Sequence, residues 1–327
     1  MSKKKKIIRV LLIVLLISVI GIGAVVGNYF YDLAINPFTS KEMIFGEDEE
    51  DELEVKEDVE WLLKDSNYKD EYITSFDGLK LHSYVVENEN KTDKWAIVVH
   101  GYTSDGETVS AKAKYFYEMG YNVLAPDLRA HGKSEGDYIG MGYDDRVDII
   151  NWINKITESN PKSEIVLHGT SMGSATVLMV SGEKLPSNVK AIVADCGYSS
   201  VWDQFTYQLK DLFNLSSFPV MDISNMVTMV RAGYSLKQAT PLNAVEKSET
   251  PILYIHGDKD AFVPYYMMDE LYDATNSDKE KLTVKGAEHA NSDLVNPKLY
   301  WTSINDFLGK YVDDNPENKI ADSKDNK

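Results

Sequence analysis

Cysteine is nearly absent. Cys196 is the single one in 327 residues, which excludes an intrachain disulfide and the multi-cysteine zinc frameworks. One thiol is compatible with a reducing or an oxidising compartment. Positive charge is scarce as well: 34 Lys and Arg stand against 52 Asp and Glu, a net charge of −18. A phosphate-binding face needs basic side chains that release counterions, so nucleic acid is excluded as a partner. The acidity is read as a solubility device. Histidine is sparse too, six in all. No two lie at i,i+4 and no His/Asp/Glu cluster has ligand spacing, so neither a metal nor a cofactor is expected.

Long apolar runs are missing, with one exception at the start. Lys3 to Lys6 precede Ile7 to Val26, which is apolar apart from Arg9 and Ser18. The spacing predicts a basic segment at 1–6 that stays cytoplasmic and a transmembrane anchor, or alternatively a cleaved secretory signal, at 7–27. Small residues are present near its end but form no Ala-x-Ala triplet. Both readings send the rest of the chain to the extracellular side: a single-pass protein of the cell membrane, or a secreted one if the segment is cleaved. Tyr29, Phe30 and Tyr31 fit an aromatic belt at the far interface. Residues 28–70 read as an acidic spacer, densest from Glu47 to Glu52, ending in a short amphipathic helix through Val55, Val59, Leu62 and Leu63. The tail, 313–327, is polar and expected to be disordered.

Between these flanks, over 71–312, short apolar β-type runs alternate with helical segments. Runs at 72–76 and 79–86 flank Asp77-Gly78, a hairpin signal. Further runs fall at 95–99, 122–125, 164–167, 189–194, 252–255 and 281–284, with helical stretches between most of them. That rhythm predicts an α/β domain: a mostly parallel, eight-stranded sheet with helices on both faces and antiparallel strands at one edge. Residues 199–250 break it. They hold no convincing strand and are rich in aromatics and Met, and read as a small helical lid above the carboxyl edge of the sheet.

The chemistry is carried by Gly169-Thr170-Ser171-Met172-Gly173. It lies between the strand ending at Gly169 and the helix opening at Met172, the context in which this pattern makes a strained turn that presents a serine nucleophile. Such a serine needs a base and an acid to orient that base. After the run 252–255 comes His256-Gly-Asp258-Lys-Asp260. Asp260 is the expected orienting acid because it lies further past the strand end, and Asp258 is expected to brace the turn. His289, on the loop after 281–284, is the expected general base. An oxyanion hole would come from the backbone N–H groups of Met172 and Tyr102. Of the other histidines, His82 is expected to be surface or strand filler, His168 to pack or hydrogen-bond, and His256 to be a satisfied core residue.

With these residues in place the chain resembles the α/β-hydrolase superfamily. The resemblance rests on His100-Gly101-Tyr102, Asp127-Leu-Arg129-Ala130-His131-Gly132-Lys-Ser-Glu-Gly136, Gly169 to Gly173, and His256 to Pro264, and covers about residues 70–310. It is closest to bacterial hydrolases related to acyl-CoA thioesterases and to prolyl-oligopeptidase catalytic domains. Ala130 stands where many members carry Gly, and a small residue suffices there. The resemblance implies an α/β-hydrolase fold and a Ser–Asp–His mechanism, with Asp127, Arg129 and His131 bracing the loop near the site. The expected activity is hydrolysis of a small-molecule carboxylic ester or acyl substrate. The alternatives are a peptidase or amidase, for which the chain has no room for a propeller domain, and an inactive surface-displayed binding module, against which the ordered Ser, Asp and His stand.

Overall fold

The computed structural model describes residues 3–45 and 58–312. The acidic run at 47–52, Val55 and the tail 313–327 lie outside the described residues. The first helix, α1 (Lys3–Ala34), is long and apolar enough to cross a membrane, and its residues 7–25 are almost entirely exposed. It runs on past residue 27 because its last two turns find apolar partners: Tyr31, Leu33 and Ile35 are buried in the domain. Lys41 then folds back to close it, donating from Nζ to the carbonyls of Leu33 at 2.8 Å and Asn36 at 2.7 Å, groups that no longer have a helical partner. Phe30 meets Phe213 edge-on at 5.3 Å, so with the buried Tyr31 it faces the domain. Of the trio expected in an interfacial belt, Tyr29 alone stays exposed.

A short helix, α2 (Glu42–Phe45), follows, and Trp61–Asp65 forms a π-helical turn that buries Leu62. Eight strands make one sheet in the order β1-β2-β4-β3-β5-β6-β7-β8. The edge hairpin is β1 (Lys69–Thr74) and β2 (Lys80–Val86), antiparallel to each other, with β2 antiparallel to β4 (Asn122–Pro126). The rest, β3 (Lys94–Val99), β5 (Glu164–Thr170), β6 (Val189–Asp195), β7 (Ile252–Gly257) and β8 (Lys279–Val284), are parallel.

Alternation along each parallel strand feeds two cores. On one face Ile97, Val99, Ile165 and Leu167 pack with Trp152 and Ile153 of α4 (Asp145–Ser159) and Val177 and Leu178 of α5 (Met172–Ser181). On the other, Ala96, Val98 and Val166 pack with Phe116 of α3 (Ser110–Glu118) and Tyr300, Ile304 and Phe307 of α11 (Pro297–Leu308). Between β6 and β7 the inserted segment is helical: α6 (Val201–Phe213), α7 (Ser217–Arg231) and the short α8 (Pro241–Val245). The chain then continues through α9 (Tyr266–Ala274) and α10 (Ser292–Val295).

Candidate active site

Ser171 sits at the sharp turn from β5 into α5 with φ 55° and ψ −116°, a conformation that costs a non-glycine residue on the order of 1–3 kcal/mol. Two close approaches enforce the turn. A Cβ on Gly169 would lie 2.2 Å from the Gly173 carbonyl oxygen, and one on Gly173 would lie 2.2 Å from that of Val99. Only glycine fits at either position, and β3, β5 and α5 are thereby drawn together under the serine. The Ser171 N–H donates to Asp195 O at 2.9 Å, which holds the turn against β6.

The structure brings Ser171, His289 and Asp260 together, although the serine and the histidine are 118 residues apart. Ser171 Oγ donates to His289 Nε2 at 2.8 Å, and His289 Nδ1 donates to Asp260 Oδ2 at 2.8 Å. The direction follows from the carboxylate, which only accepts and so puts the proton on Nδ1 and leaves Nε2 free to accept. Asp260 is buried. Burial by itself raises a carboxyl pKa, but the hydrogen bonds from His256 and His289 outweigh it and lower Asp260 to about 2. Its other oxygen, Oδ1, accepts the backbone N–H groups of Phe262 at 2.9 Å and Val263 at 2.8 Å.

His256 supplies the contact that sequence reasoning missed. Its Nε2 lies 3.1 Å from Asp260 Oδ2 and 2.9 Å from Val263 O, so a single N–H is shared between the carboxylate and the backbone beyond it. It is buried and satisfied as expected, and its partner is the acid itself. The i,i+4 spacing of His256 and Asp260 was the available signal. Asp258 takes the bracing position: its Oδ1 accepts the Gly286 N–H at 2.6 Å, tying the β7 turn to the loop that carries His289.

Tyr102 lies on the loop after β3, next to Gly101, whose Cβ position would be 3.5 Å from Ser171 Cβ. Met172 is the first residue of α5, where a helix leaves its N–H without an internal acceptor. His100 stiffens the Tyr102 loop. Burial, reinforced by neighbouring His131, lowers it to about 3, so it is neutral; Nε2 accepts the Leu128 N–H at 3.0 Å and Nδ1 donates to Gly101 O at 2.7 Å. The Tyr102 hydroxyl donates to Ala34 O at 2.8 Å, joining this loop to the end of α1.

The loop after β4 is braced as the resemblance implied. Asp127 accepts the N–H groups of Gly106 at 2.7 Å and Lys133 at 2.8 Å. Arg129 grips Asp148 through Nε at 3.0 Å and Nη2 at 2.8 Å. Ala130 adopts a left-handed φ of 63°, a conformation that favours glycine. His131 Nδ1 donates to the Arg129 carbonyl, 2.9 Å away. His82 departs from expectation: it is fully buried, with Nδ1 2.8 Å from Asp127 and Nε2 2.7 Å from Asp70, because the carboxylate bracing this loop needs a donor from the adjacent strand. His168 bonds Tyr300 Oη at 2.9 Å.

Cys196 is buried beside the site. Its sulfur, an Asp260 oxygen and a His289 nitrogen lie within 4.8 Å of one another, the one Cys/His/Asp grouping with metal-ligand proximity among the described residues. The donor chemistry does not favour a cation there. Both Asp260 oxygens already accept N–H groups, and burial pushes the Cys196 thiol up, holding it protonated.

Above Ser171 lies a cavity of about 90 Å³. Helices α6 and α7 roof it through Leu209, Phe213, Val220 and Met221, and its outer wall is the end of α1, including Tyr31 and Leu33. Ile44 and Phe262 also line it; Phe45 stacks on Phe262 at 5.5 Å, and Phe262 in turn lies 4.9 Å from the His289 ring.

A family model for the alpha/beta hydrolase fold matches residues 95–219. The chain has the α/β-hydrolase fold. The uncharacterized Bacillus subtilis protein YqkD is 28% identical over 68% of this chain and 73% of its own length. The uncharacterized yeast membrane protein YNL320W is 23% identical over 71% of this chain and 76% of its own. Among solved structures, the Pyrococcus furiosus esterase Pf2001 superposes with a TM-score of 0.61 at 24% identity, covering 75% of this hydrolase-fold chain and 92% of the esterase. At that identity the likeness concerns the fold.

Proposed function

We propose that this protein is a serine hydrolase that cleaves a carboxylic ester through an acyl-enzyme on Ser171. The observation that carries the reading is the continuous hydrogen-bonded relay Ser171–His289–Asp260, 2.8 Å at each link, opening into an apolar cavity. Ser171 Oγ attacks the ester carbonyl while His289 Nε2 takes its proton, and Asp260 steadies the imidazolium. The N–H groups of Met172 and Tyr102 receive the oxyanion; losing one such donor typically costs about 10²–10³ in turnover. The C–O bond breaks as His289 returns the proton to the departing alcohol. Water, deprotonated by the same histidine, then adds to the acyl-enzyme and releases the acid and Ser171.

An apolar cavity suits an acyl chain better than a peptide, which needs partners for its backbone amides. The α1 helix, with Lys3 to Lys6 ahead of its apolar run, anchors the protein in the cell membrane with the catalytic domain outside. A yeast relative named as a membrane protein supports the anchor.

A fluorophosphonate probe should label the full-length protein and fail to label Ser171→Ala. Absence of labelling in the folded wild type would sink the hydrolase reading and leave a binding module. In a panel of p-nitrophenyl acyl esters and aminoacyl anilides, esters should turn over faster; faster anilide turnover at matched acyl groups would establish the peptidase or amidase reading instead. Protease added to intact cells should remove the domain, and full protection would refute external display.

A further inference from the structure

The wall of the cavity raises a question of access, since part of it is the continuation of the helix assigned to the membrane. α1 and α7 pack in parallel and at close range. Gly23 and Gly27, four residues apart, face Ile223 and Val227: a Cβ on Gly27 would lie 2.7 Å from Val227 Cγ2 and 2.9 Å from Ile223 Cγ2. Small residues at this spacing let two helix backbones approach closely. Further along, Arg231 closes the contact, donating to Asn28 Oδ1 at 2.9 Å and Asp32 Oδ1 at 2.8 Å with its guanidinium 3.9 Å from the Tyr31 ring centroid.

This register fixes how α7 is oriented toward the membrane. Its Arg231 end lies beside residues 28–32, the polar exit of α1. Its Ser217 end points back along the apolar run, and Phe218, where the backbone leaves helical geometry (φ −87°, ψ 132°), lies five residues before the Ile223–Gly23 contact. The outward side of α7 carries large apolar side chains left exposed by the described residues: Phe218 is 74% exposed, Met226 60% and Val230 85%. Isolated surface apolars need no explanation, but these continue the bare surface of α1, and contiguous apolar surface marks an interaction site. On their inward side the same two helices line the cavity over Ser171, through Tyr31, Leu33, Val220 and Met221.

We propose that α7 lies in the outer leaflet of the bilayer beside α1, and that the cavity takes the acyl chain of a bilayer-resident ester, which enters where α7 and the end of α1 meet. The anchor is then part of the binding site as well as a tether. The occupant of the exposed face is lipid rather than a protein, because the face is contiguous with a covalently attached helix whose own apolar surface requires a bilayer. The substrate claim rests on the ester-hydrolase reading above; the placement of α7 does not.

Two arms test it on the full-length protein in phosphatidylcholine vesicles. In the first, Met226→Cys is labelled with an environment-sensitive fluorophore, Cys196 being buried; brominated acyl chains should quench it, and no quenching overturns the placement of α7. In the second, p-nitrophenyl acetate in solution is compared with p-nitrophenyl palmitate carried in the vesicles. Met226→Asp with Val230→Asp should lower palmitate turnover at least tenfold and leave acetate turnover within twofold. Equal effects on both substrates, or none on palmitate, overturn the proposal. A wild type inert on acetate and on palmitate overturns the ester reading itself and the acyl-chain claim with it, whereas the quenching result stands on its own.

Discussion

Replacing Asp260 with Asn separates the proposed orienting acid from its neighbour two residues earlier. Oδ1 of Asp260 accepts two backbone N–H groups and Oδ2 faces the ring nitrogens of His289 and His256. In Asp260→Asn the amide oxygen keeps the two backbone donors, because the amine cannot accept them. The amine then points at His289 Nδ1. That nitrogen must accept, the ring proton moves to Nε2, and Nε2 can no longer take the proton of Ser171. The shape survives and the base is lost, an exchange that elsewhere costs about 10⁴ in kcat. Asp258→Asn is the internal control: its amide oxygen can still accept the Gly286 N–H now held at 2.6 Å, so turnover should fall by less than tenfold. The assay is steady-state hydrolysis of a p-nitrophenyl ester with fluorophosphonate labelling rates, and a thermal melt to show that both variants fold. Asp260→Asn within tenfold of wild type, or Asp258→Asn the slower of the two, would refute the assignment.

Three further outcomes follow from the same geometry. Because Asp260 is lowered to about 2 from an ordinary value near ~3.9, its carboxylate adds about 2–3 kcal/mol above roughly pH 4, lost as pH falls through about 2; denaturant titrations should therefore show a flatter acid limb for Asp260→Asn than for wild type, and parallel limbs would contradict this. Ser171 at φ 55° predicts that Ser171→Gly is more stable than Ser171→Ala by on the order of 1 kcal/mol, and an equal or lower melting midpoint for the glycine variant would show that the turn stores no strain. Asp148→Ala strips the buried Arg129 of its two-pronged partner and should cost about 3–5 kcal/mol, against which a loss below 1 kcal/mol by urea unfolding would count.

The central sheet was legible from the sequence because buried parallel strands are short, continuous apolar runs, and each of the eight expected runs overlaps a strand. The turn at Ser171 was legible for a related reason. Gly169 and Gly173 are both required by sub-3 Å backbone approaches, and a strand before and a helix after are local patterns. The order of Asp260 and His289 after Ser171, each beyond its own strand, needed only the assumption that parallel strands put their following loops at one edge.

What the sequence by itself determined is therefore what local periodicity encodes: the strands, the serine turn, the order of the carboxylate and the histidine that follow it, and an apolar helix ahead of an acidic domain. Tertiary structure decided the partners. His256 reaches Asp260 because β7 ends in a turn that folds back on itself, and His82 is buried because two carboxylates converge on it from β1 and the loop after β4. Phe30, Tyr31, Leu33 and Ile44 wall the cavity, and the segment that carries them is held by contacts with residues some 200 positions away, such as Asp32 with Arg231. A pair so distant in sequence leaves no repeat or spacing to read, since its energy depends on three-dimensional proximity that only the closed fold creates.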